Sequence, residues 1–223
     1  MTEVGTVRVW DLPTRLFHWL LVLCLMGLFA TAWIPGAPLE VHVRLGYVVL
    51  TLLLFRLAWG LVGGYWSRFL SFIPSPGTVL RYLRGHETAA HRLGHSPLGA
   101  LSVLAMLLVL AVQVGTGLVS DDEISFTGPL NRHVTQATGL AATSYHRGIG
   151  PWIILALIAS HVVAIGYYAF VRKRNLVPAM LHGDKPAPPA QIAASRDGAV
   201  QRLFGLVLLA ASAALVWLLV RGG

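Results

Sequence analysis

Residues 145–166 read YHRGIGPWIILALIASHVVAIG, an apolar run with His146 near one end, His161 toward the other and a single formal charge, Arg147. As helix, the fifteen residues between the two histidines rise about 22 Å, most of the about 30 Å hydrocarbon core of a bilayer. The run therefore reads as a membrane span with one imidazole near each face. At about 100° per residue the two rings stand about 60° apart around the axis, so both can face one bundle interior. Pro151 leaves two forms of this segment open. A helix beginning near Thr143 kinks at the proline, whereas one beginning at Gly150 leaves His146 in a loop.

The rest of the chain fits a membrane. Of 223 residues 56% are hydrophobic and only 12% charged, against about 25% charged in soluble domains. Five continuous apolar runs, 16–34, 43–62, 98–119, 151–171 and 200–220, are each long enough to span. Unbroken apolarity predicts helices, since barrel strands would alternate. The expected fold class is an all-α integral membrane protein: a four-helix transmembrane bundle plus a fifth, C-terminal transmembrane helix.

The net charge of +8 is distributed by topology. With the N-terminus cytoplasmic, 13 of the 17 Lys and Arg fall on the inner side and only Arg44, Arg132, Arg147 and Arg221 outside, a strong positive-inside bias. The basic residues then meet anionic lipid headgroups. No basic stripe interleaved with aromatics points to nucleic acid. The lone Cys24 lies inside the first run, which excludes a disulfide framework and a Cys-x-x-Cys-His site for covalent haem. That run reads as a span and not a cleaved signal, because Glu3 and Asp11 precede it and it carries His18.

Two further histidines lie at matching depths. His18 begins the first span, one turn beyond Arg15; His42 opens the second, one turn before Gly46, where a missing side chain leaves room for a flat ligand. Arg56 falls at the depth of His18, and Arg44 and Arg147 beside the outer site. His95, just before the third span, competes as a ligand or as a partner for a quinone headgroup; His86, His91, His133 and His182 read as solvated. Residues 113–117 form a small-residue patch in the third span, and Asp121, Asp122 and Glu123 open an acidic outer loop. Residues 186–194, rich in Pro and Ala, read as a flexible or extended linker, and the fifth span as an anchor or lateral contact.

A zinc or di-iron site in a bundle wants carboxylates, or histidines three or four apart, and the spans offer neither. Four histidines at two depths match bis-imidazole ligation of two flat irons: His18 with His161 for an inner haem, His42 with His146 for an outer one. Arg15 can reach a propionate. With both axial positions filled, electron transfer is favoured over oxygen chemistry.

The stretches RLFHW (15–19), HVRLG (42–46), RLAWG (56–60) and GHSPLG (94–99), followed by His146, His161 and Asn175-Leu176, resemble the bacterial di-haem cytochrome b561 family that includes the b-type subunits of nickel-iron hydrogenases. The likeness covers about 7–183. It implies two non-covalent b haems in a four-helix core, in the cytoplasmic (inner) membrane of a bacterium, with the N-terminus cytoplasmic and the C-terminus periplasmic. It also implies electron exchange between the quinone pool and a periplasmic partner, such as a c-type cytochrome or hydrogenase-like subunit; a quinone site and a homodimer are compatible with it. The alternative function is a membrane oxidoreductase that itself oxidises quinol or superoxide, using the haems as a wire. The expected organisation is a di-haem core over 1–183, a linker over 184–198 and a C-terminal transmembrane helix over 199–223.

Overall fold

The computed structural model describes residues 5–187 and 193–222. Five helical segments in it are long and apolar enough to cross a membrane: α1 (Leu12–Trp33), α2 (Leu39–Val62), α6 (Pro97–Val119), the consecutive α7 (Gln136–Arg147) and α8 (Ile149–Phe170) taken together, and α10 (Ala199–Arg221). Short helices α3 (Phe69–Phe72), α4 (Pro76–Leu83) and α5 (Ala89–Leu93) fill the segment between α2 and α6, and α9 (Val177–His182) follows α8. Strands β1 (Gly5–Arg8) and β2 (Asp184–Ala187) pair antiparallel, with Val7 opposite Lys185. The spans keep large apolar side chains bare: Leu23 is 63% exposed, Leu61 69% and Val163 71%. Water would not tolerate such faces over whole helices, and lipid requires them. The protein is an all-α membrane bundle.

The described residues form two compact units, each with its own packing. One is built from 5–18, 56–105, 161–187 and 193–208, and the other from 19–55, 106–160 and 209–222.

In the first unit the organising group is the carboxylate of Asp11, which is fully buried. It caps α1 by accepting from the Thr14 N–H at 2.9 Å, and also accepts from Trp59 Nε1 at 3.1 Å, the Gly64 N–H at 3.2 Å and the Ser67 hydroxyl at 2.8 Å. A buried carboxylate is tolerable only when donors replace its water, and here donors from three segments do so. A side chain at position 64 would stand 2.4 Å from Asp11 Oδ2, so only glycine lets that backbone approach. The stretch Trp10-Asp11-Leu12-Pro13 thus supplies a helix N-cap, Asp11, with proline in the first turn.

The expected linker is partly structured. Its first residues form β2, residues 188–192 lie outside the described residues, and the remainder docks on the N-terminal segment. Ser195 donates its N–H to the Arg8 carbonyl and its hydroxyl to the Val9 carbonyl, both at 2.8 Å. Asp197 accepts from Arg8, from Arg202 and from the Leu12 N–H. Within the same unit, α10 packs its Phe204 ring 6.2 Å from Trp59.

The second unit resolves the proline question. α7 stops at Arg147, Gly148 leaves helical geometry with ψ at −103°, and α8 restarts at Ile149. Pro151 falls in the first turn of α8, where its missing N–H has no helical partner to lose. His146 therefore sits on the last turn of a separate helix, and the 60° angle drawn from one continuous helix does not apply.

Candidate functional site: two histidine pairs

In the first unit His18 on α1 and His161 on α8 face each other with ring centres 6.4 Å apart. In the second, His42 on α2 and His146 on α7 stand 6.1 Å apart. A first-row metal holds an imidazole nitrogen at about 2 Å, with the ring centre about 1.1 Å behind it, so two imidazoles sharing one metal have centres about 6.2 Å apart. Both pairs fit that span. His95 is a contrast: its ring packs directly on Phe72 at 4.3 Å and Trp10 at 4.7 Å, leaving no gap for a metal.

The second pair opens into a cavity of about 520 Å³, a volume typical of organic ligand sites. Gly46 lines it one turn beyond His42, and a Cβ there would meet nothing within 4 Å, so the space for a flat ligand exists. The ring edges away from the gap are held. His146 Nδ1 lies 2.8 Å from the Gln113 carbonyl, which can only accept, so Nδ1 carries the proton and Nε2 keeps the lone pair. His42 Nδ1 lies 3.1 Å from the Thr31 hydroxyl, whose own proton is directed at the Gly27 carbonyl at 2.8 Å. The same tautomer follows. Arg147 and Asp122 line the cavity 3.9 Å from each other, and the Asp122 carboxyl is held well below the usual carboxylate range by the backbone N–H groups of Ser125, Phe126 and Ile124.

In the unit that holds the first pair, two guanidinium groups keep buried nitrogens without a protein partner: Arg15 Nε and Arg56 Nη1. Arg15 otherwise donates to the Leu181 carbonyl and lies 3.7 Å from Asp197, while Arg56 stacks 4.8 Å over the Phe69 ring. Buried cationic donors left open suit an anionic group such as a carboxylate of a bound cofactor. Among the described residues no cluster of three or more His, Cys, Asp or Glu could hold a metal ion by itself.

Residues 9–183 match the family described as prokaryotic cytochrome b561. The chain belongs to that family. It is a multi-pass membrane protein and a b-type cytochrome, which implies haem b and electron transfer. Among curated relatives, a probable Ni/Fe-hydrogenase 1 B-type cytochrome subunit of Escherichia coli (strain K12) is 27% identical over 188 residues, covering 69% of this chain and 80% of the relative. A probable Ni/Fe-hydrogenase B-type cytochrome subunit of Azotobacter vinelandii is 26% identical over 213 residues, covering 79% and 87%. No solved structure matches the chain with comparable significance.

For a cytochrome of this family, the expected site residues fall into two groups. His18, His42, His146, His161, Gly46, Arg15 and Arg56 sit as described above. Arg44 does not join them. It follows His42 by two residues, about 200° around the helix, and its guanidinium is 75% exposed, pairs with Glu40 one turn back and does not line the cavity. Thr31 also holds a histidine ring, Gln113 and Gly117 of the 113–117 patch do so individually, and Asp11 ties together the unit of the first pair; none of these roles was read from the sequence. Only Asp11 carried a readable signal, an acidic residue before Leu-Pro at a helix start.

Proposed function

We propose that this b-type cytochrome binds two haems and carries electrons across the bacterial cytoplasmic membrane, between the quinone pool and a redox partner on the periplasmic side. His18 and His161 hold the inner haem and His42 and His146 the outer one, within a core ending near residue 183 and followed by an accessory fifth span. The reading rests on one observation above the rest: two histidine pairs, each with ring centres separated by the distance a shared metal requires. The positive-inside distribution supports a cytoplasmic N-terminus and a periplasmic C-terminus. The relatives' names favour a hydrogenase-like partner, and a c-type cytochrome would serve the same chemistry.

When bound, each haem supplies a one-electron ferric/ferrous couple. The chain's residues do the rest. Each pair of imidazoles would hold one haem iron between its two rings, an arrangement that would favour electron relay over turnover at the metal. Thr31 and the Gln113 carbonyl fix the proton on the far side of their rings and aim Nε2 inward. Arg15 and Arg56 offer buried donors to propionates and offset their charge.

Haem content and midpoint potentials of the purified protein test the reading. Wild type is expected to hold two haems per chain, and His18→Ala, His42→Ala, His146→Ala and His161→Ala each to lose the haem of their own pair. One haem per chain in wild type, or full haem in any of the four variants, refutes the assignment.

A further inference from the structure

The backbone of α6 passes unusually close to His146. A Cβ built at Gly117 would lie 2.9 Å from His146 Cε1 and 3.3 Å from Nδ1, closer than ordinary packing permits. One turn earlier on the same helix, the Gln113 carbonyl receives the His146 Nδ1–H at 2.8 Å and the Thr116 hydroxyl at 2.8 Å. The Gln113 side chain returns the contact, its Nε2 donating to the His146 carbonyl at 2.9 Å. Its Oε1 is buried without a partner and occupies space that a Cβ at Gly150 would enter at 2.1 Å. Ring and main chain of one residue are therefore gripped by a single residue of another helix, through openings left by two glycines.

We propose that Gln113 and Gly117 are positioning residues that set the electron-donating strength of His146, and through it the reduction potential of the outer haem. The inference rests on His146 being a ligand, and goes beyond it by assigning the tuning to α6. A ligand imidazole that donates its second N–H to a carbonyl gains imidazolate character and becomes a stronger donor. Stronger donation favours the ferric state and lowers the potential. Gly117 is what allows the ring to reach that carbonyl, and the Gln113 amide keeps His146 from drifting away.

The test is a redox titration of the full-length protein, with haem content measured on the same samples. Gly117→Ala pushes the ring off the carbonyl. It is expected to keep both haems while the higher-occupancy ferrous state of one haem shifts its ferric/ferrous equilibrium about tenfold, a rise of about 59 mV in that midpoint alone. Gln113→Leu leaves the carbonyl acceptor and removes only the amide grip, so the same midpoint rises by a smaller amount. Should Gly117→Ala fail to accumulate, Gln113→Leu decides alone. Unchanged midpoints at full haem content overturn the proposal and leave the ligand assignment standing. A His146→Ala protein that keeps both haems removes instead the assignment on which the proposal rests.

Discussion

The two histidine pairs have nearly the same ring separation, 6.4 Å and 6.1 Å, yet their surroundings solve different problems. Around His42 and His146 the groups that act on the imidazoles themselves are neutral: a threonine hydroxyl and a main-chain carbonyl hold the ring edges. The unit of His18 and His161 contributes buried guanidinium groups with open donors, stiffened by a carboxylate, Asp11, that ties helix ends together. A metal can thus be tuned through its ligands in one place and through the charge of its surroundings in the other. With haem in both, the first device lowers a potential and the second raises it, since a nearby cation favours the less positive ferrous state.

The largest effects separate the pairs outright. His161→Ala is expected to remove one haem of two and leave the spectrum of the other, and His146→Ala to do the converse; if the two variants lose the same haem, the separation is wrong. Next comes structure. Asp11→Ala removes the carboxylate that accepts from Trp59 Nε1, the Gly64 N–H and the Thr14 N–H and takes away the cap of α1. At about 1.5–3 kcal/mol for a charged hydrogen bond, thermal release of the inner haem is expected at lower temperature, with the outer haem retained longer. Arg56→Leu is smaller: removal of one buried cation lowers the inner midpoint by tens of millivolts, about 59 mV for a tenfold effect, and leaves the outer one in place.

A pH effect sharpens the same contrast. Burial, with lesser help from Arg56 and Lys185, pushes the His95 imidazole down to about 3 from an ordinary value of 6.5. The unfolded chain takes up that proton below about 6.5 and the folded chain refuses it until about 3, so His95 costs stability progressively as the pH falls through this window. Thermal stability at pH 4 relative to pH 7 is expected to improve in His95→Phe, which keeps the packing on Trp10 and Phe72 and cannot take the proton. At the small end, Arg44→Ala is expected to change neither midpoint nor haem content, because its guanidinium is exposed on Glu40.

Much of this architecture is legible in the chain because membrane spans obey a local rule. A run such as 98–119 has no charge to hide, so its helix and its span follow from composition, and the helix α6 occupies nearly the same residues. Histidines in such runs stand out for the same reason, and depth alone suggests which can meet. The exceptions are instructive. Arg44 sits in a stretch that resembles the family and still faces outward, since two residues along a helix reverse direction. Residues 184–198 look like a linker from composition, yet Ser195 and Asp197 find donors and acceptors at the N-terminus that no local pattern could announce.

By itself the sequence determined the number of spans, the absence of a covalent haem attachment and the two depths at which imidazoles occur, because apolar length and residue spacing are properties of the chain alone. Only the tertiary structure decided that α7 and α8 break at Gly148, that a buried Asp11 joins three segments, and that Gly117 lets His146 reach the Gln113 carbonyl. Those depend on distances between residues remote in sequence, where a few tenths of an ångström separate a hydrogen bond from a clash.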